Sequence, residues 1–175
     1  MAVLVSISCG RKHEVAEEPK SGLPAGMGAI AGTIVDDRGE PVTARVYVVG
    51  SDDSTYLSED AIPYERPAFA SRIGYSGKHF TTRTNTFAVI LPPGRAAIRI
   101  ERGKEYAAAV DTLEIVAGET VERTWILRRF IDMAAKGWYS GDTHCHRPLG
   151  ELSDLMRAED LHVLVPQTVW NEKRA

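Results

Sequence analysis

"GTIVDDRGEPVTARVYV", residues Gly32–Val48, decides the fold of the larger part of this chain. Val42, Ala44, Val46 and Val48 alternate with Thr43, Arg45 and Tyr47. That is the period of a strand with one buried face. Before it, "AIAGTIVDD" is rich in β-branched residues and alternates in part. Between the two lies "RGEP", which reads as a turn: Gly39 can take a positive φ, and Pro41 has no N–H for a ladder.

The pattern continues outward. "FAVILPPGRAAIRIERG" reads as two strands around a Pro-Pro-Gly turn, and "TLEIVAGETVERTWIL" as another pair around "AGET". Between Ser51 and Gly77 the chain is less regular and carries Tyr56, Tyr64, Phe69 and Tyr75, which suits a long connection with its aromatics packed on a sheet. Several strands with short turns and little helical periodicity predict an antiparallel β-sandwich. Together these segments resemble the carboxypeptidase-regulatory-like domain, a transthyretin-type sandwich. The resemblance implies a domain that supports or positions a neighbour. His79 stands alone in this region and reads as a solvated strand histidine.

The 175 residues are 43% hydrophobic and 26% charged, with a net charge of -3. A packed core is expected, and the scattered Lys and Arg exclude a basic nucleic-acid surface. No apolar run is long enough for a transmembrane helix. At the N-terminus, "AVLVSI" and Ser8 precede Cys9, after which the chain turns polar. This resembles the tail of a bacterial lipoprotein signal, which implies a lipid anchor at Cys9 and a place in the cell envelope or outside the cell. Ser6 stands where a Leu-like residue is usual and no basic region precedes the run, so a tail with a chance Cys in a cytoplasmic protein is the alternative. Cys145 is the other cysteine, and the two suggest no disulfide framework.

The chemistry lies near the other end, in "GWYSGDTHCHRP", Gly137–Pro148. In an extended chain Asp142, His144 and His146 share one face, while Thr143 and Cys145 point away. Two histidines at this spacing can hold one divalent ion, and neutral imidazole suits Zn, Mn or Fe. Asp142 can accept the free N–H of His144 and fix its tautomer. Next, Leu152, Leu155, Met156, Ala158 and Leu161 fall at helical spacing, and "HVLVPQTV" reads as a short strand. Strand, helix and strand make a βαβ unit, with His144, His146 and Thr168–Asn171 at strand ends.

"GWYSGDTHCHR" and "LMRAEDLHVLVPQTVWN" resemble the CehA/McbA-like branch of the PHP-type metallohydrolases, whose motif runs G-W-x-x-G-D-x-H-x-H. The resemblance implies a metal-dependent hydrolase acting on a small-molecule substrate. His144 and His146 would be metal ligands and Asp142 the catalytic carboxylate. Where many PHP proteins have Thr-Asp-His-Asn, this chain has Thr168, Val169, Trp170 and Asn171, so a multi-metal phosphoesterase centre is not implied. Ser153 and Asp154 read as helix surface. A PHP barrel needs about seven βα units, whereas one is legible here.

Three segments follow: residues 1–27 as signal remnant and linker, 28–130 as the sandwich, and 131–175 as the start of a PHP-type domain. The expected function is that of the N-terminal part of a metal-dependent hydrolase, with its other ligands in further sequence. A non-catalytic, envelope-associated sandwich for binding or tethering is the alternative. The chain as given is expected to be inert and to bind metal weakly. "HVLVPQTVW" should be exposed, and the segment after Ile131 mobile, loosely packed or prone to association.

Overall fold

The computed structural model describes residues 22–65 and 77–167. The lipoprotein-like segment with Cys9, the aromatics Phe69 and Tyr75, and Thr168–Asn171 lie outside the described residues.

Among the described residues, eight strands form the larger body. They are β1 (Gly28–Asp36), β2 (Arg45–Val49), β3 (Ile62–Tyr64), β4 (His79–Thr81), β5 (Thr86–Leu91), β6 (Gly94–Glu101), β7 (Ala109–Ile115) and β8 (Thr120–Leu127). One sheet has the order β5-β1-β8 and the other β3-β4-β2-β6-β7. Their inward residues meet in one core, built from Ile30 and Ile34 of β1, Val46 and Val48 of β2, Val89 and Leu91 of β5, and Ile98 and Ile100 of β6. Phe87 stacks on Trp125 at 5.7 Å and meets Phe80 edge-on at 5.5 Å. The molecule is thus mainly β, and the alternation read from the sequence marks the buried faces.

Two features differ from the sequence expectation. The first is that the short turns do not join the successive strands in one sheet, although at the first of them Pro41 bridges back to Val35. β1 and β2 belong to different sheets, as do β5 and β6, and β7 and β8. At "RGEP" the Asp36 carboxylate accepts the N–H groups of Arg38 and Glu40, each at 2.9 Å, and Gly39 takes φ 85°. After Pro92 and Pro93, which cannot donate to a ladder, Gly94 takes φ 114°. Such turns can carry the chain across the core as readily as back along one sheet. The second is that β1 pairs β5 antiparallel but β8 parallel, from Ala29↔Thr120 to Asp36↔Leu127. The small sheet is therefore mixed rather than antiparallel.

A second, smaller unit follows. β9 (Gly141–Cys145) leads through a 3-10 turn at Leu149–Glu151 into helix α1 (Leu152–Ala158), and β10 (Val163–Pro166) pairs β9 in parallel. This is the βαβ order the sequence predicts. Its helix is one turn shorter than the apolar spacing implied, because Asp160 turns the chain at φ 53° before Leu161. One side docks on the sandwich through carboxylates that follow α1. Glu159 pairs with Arg45 at 2.6 Å, and Asp160 bridges Arg102 at 3.1 Å and Arg129 at 2.6 Å. Gly103 permits the approach, since a Cβ there would lie 2.6 Å from the Glu159 carbonyl oxygen. The other side is open: Trp138 is 70% exposed, Val163 50% and Val165 42%. Parallel strands ordinarily have cover on both faces.

Candidate metal site and the adjoining cavity

β9 carries Asp142 and His144, with His146 just past its end, and a register shift shapes the strand. Asp142 is level with Leu164, but Cys145 is level with Pro166, so β9 advances three residues while β10 advances two. Such a bulge breaks strict alternation. Asp142 and Cys145, expected on opposite faces, both line one cavity, and Cys145 is buried.

His144 and His146 come together. Their Nε2 atoms are 2.9 Å apart and their rings meet edge to face at 4.7 Å. In the free protein one of these nitrogens donates to the other. With both protons on Nδ1, both Nε2 atoms would be free to bond, and at this separation one divalent ion at roughly 2.1 Å is within reach of each. The pair therefore fits a metal, as two ligands. Among the described residues, no group of three or more His, Cys, Asp or Glu side chains is placed to hold an ion. Glu151, in the turn after the motif, pairs with Arg147 at 2.7 Å.

Asp142 holds a different bond from the one expected. Its Oδ1 accepts the backbone N–H of His144 at 2.9 Å rather than the ring N–H. It fixes the strand beneath the histidine. Ser140 sets the strand's start, its hydroxyl donating to the Asp160 carbonyl at 2.7 Å.

The cavity, about 560 Å³, lies between the outer face of the five-stranded sheet and the βαβ unit. Tyr47, Tyr64 and His79 form its sandwich wall, and Leu155, Leu161 and Leu164 face them from the βαβ unit. His79 is not the solvated residue the sequence suggested. It stacks on Tyr64 at 4.7 Å, and its Nδ1 is 2.9 Å from the Gly77 carbonyl oxygen. That contact assigns the proton to Nδ1 and leaves Nε2 an acceptor. Burial, with the neighbouring Arg45 charge, pushes its pKa down to about 4. His79, Tyr47 and Tyr64 went unrecognised because they lie on the sheet face opposite the core. A strand's period says which face is outward, not whether a later segment covers it.

No family's sequence model matches the chain, and no curated protein matches it. Among solved structures it is similar to GBS52, the minor pilin of the Gram-positive pathogen Streptococcus agalactiae. The identity is 16% and the TM-score 0.43, over 62% of this chain and 47% of that one. It is also similar to the phospholipase PlaB of Legionella pneumophila, at 16% identity and TM-score 0.35, over 63% of this chain and 27% of that one. The chain thus spans about half the length of the pilin and about a quarter of the phospholipase.

Proposed function

We propose that His144 and His146 are two ligands of a divalent ion (Zn, Mn or Fe) in a metal-dependent hydrolase of the CehA/McbA-like PHP type, acting on a small molecule. The 2.9 Å approach of the two Nε2 atoms carries this reading. When bound, such an ion supplies a Lewis acid and a water acidic enough to attack an ester, amide or phosphoester at neutral pH. This chain's residues prepare the site. Asp142 holds the His144 backbone, and the docked βαβ unit fixes β9 against the sandwich. A catalytic ion usually takes about three protein ligands, so this reading calls for at least one donor besides the two histidines. Calorimetric titration with Zn and with Mn tests the reading. A dissociation constant weaker than micromolar is expected, weakening at least tenfold in the His144→Ala/His146→Ala double variant. Equal affinity in both proteins would overturn it.

A second reading has its own support. Among the described residues, the core cluster lies within residues 30–127 and takes nothing from the βαβ unit. That favours a sandwich able to fold alone as an envelope-associated binding or tethering module, with the C-terminal unit as its passenger. The envelope location rests on the lipoprotein-like residues before Gly10.

A further inference from the structure

The cavity between the sandwich and the βαβ unit lies apart from the paired histidines. Neither His144 nor His146 lines it. Its volume, about 560 Å³, is that of a small-molecule pocket. Ile62, Leu155, Leu161 and Leu164 give it an apolar interior, and Tyr47 and Tyr64 give it flat walls.

Its charges are unevenly matched. Arg45 is paired with Glu159, and Arg147 with Glu151. Asp142 is committed to the His144 N–H through Oδ1. Lys104 also lines the cavity, on the exposed turn after β6, and among the described residues no carboxylate lies within ion-pair distance of it. Beside it, Gly103 takes φ 49° and touches the chain after α1, so the turn is pinned at the seam. The Arg147 guanidinium lies 5.9 Å from the Tyr64 ring centre, at the cavity's edge. An apolar interior beneath an unmatched cation suits a molecule with a hydrocarbon body and one negative end.

We propose that this cavity binds a small apolar monocarboxylate, its body between the leucines and Ile62 and its carboxylate at Lys104. The site is independent of the metal reading, since it uses neither histidine of the pair.

Octanoate is a suitable probe and 1-octanol its uncharged counterpart. In calorimetric titrations of the full chain, octanoate should bind with a dissociation constant on the order of 0.1 mM. Octanol should bind at least tenfold more weakly. Lys104→Glu, at an exposed position, should weaken octanoate at least tenfold and leave octanol unchanged. Amide NMR shifts on adding octanoate should centre on residues 45–47, 62–64, 103–104 and 161–164. The His144→Ala/His146→Ala variant should bind octanoate like the parent, which separates this outcome from failure of the metal site. No saturable binding at millimolar octanoate would overturn the proposal. So would equal affinity for octanoate and octanol, or shifts centred on the open face at Trp138 and Val163.

Discussion

His79 is held neutral by its surroundings. Arg45 and Arg147 face it and disfavour a second positive charge, Glu101 favours one, and the Tyr47 and Tyr64 rings exclude water. Its folded pKa, about 4, lies below the ordinary value of 6.5, so the unfolded chain takes up the proton first as pH falls. Stability should therefore be complete above pH 6.5 and decline between 6.5 and 4. With solvent screening of this half-buried group taken into account, the loss from His79 is on the order of 1–2 kcal/mol. Denaturant melts at pH 7 and pH 4.5 measure it, and His79→Phe should remove that part of the difference. Gly32 offers a second test at this scale. A Cβ there would sit 2.3 Å from the Phe87 ring, which is itself held between Phe80 and Trp125. Gly32→Ala should cost about 1–3 kcal/mol in the same melts.

At the scale of elements, the seam between the two units rests on a few carboxylates. Asp160 joins Arg102 and Arg129 while its backbone takes a left-handed turn, and its carbonyl receives the Ser140 hydroxyl. Asp160→Ala removes both ion pairs and keeps the strained φ, so docking should weaken by about 2 kcal/mol. Hydrogen exchange should then quicken across β9 and β10 while β1 and β6 stay protected. The sequence made β2 and β6 visible because Val46, Val48, Ile98 and Ile100 repeat every second residue, but β3 lies in the stretch read as a long connection. The repeat did not reveal partnerships. Gly39, Gly94 and Gly118 permit a hairpin or a crossing equally, and the β1–β8 pairing joins residues far apart in the chain. The pairing of His144 and His146 was legible because residues two apart in an extended chain lie close together, and the two rings meet although His146 stands just past the end of β9. The bulge that turns Cys145 toward Asp142 depends on β10, and single-strand periodicity cannot register it.

For the whole molecule, one core and one docked appendage imply unequal stability. Residues 28–130 expressed alone should unfold in a single cooperative transition, because the core cluster needs nothing beyond Leu127. A broad, non-cooperative melt would remove the second functional reading. In the full chain, loss of the β9–β10 unit should precede loss of the sandwich as denaturant rises, seen as amide exchange across β9 and β10 ahead of the fluorescence change of buried Trp125.

The parallel register of β1 and β8 has a mechanical consequence. The two strands are the first and last of the sandwich, and eight residue pairs join them side by side, from Ala29↔Thr120 to Asp36↔Leu127. Tension applied ahead of Gly28 and beyond Leu127 pulls the strands past each other along their length. The ladder then carries the load in shear, all its hydrogen bonds strained together, rather than opening one by one like a zip. Stretched between its ends in a force spectrometer, the sandwich should resist until a single sharp rupture. Pulled across the ladder instead, through handles at Ala29 and Thr120, it should yield at far lower force.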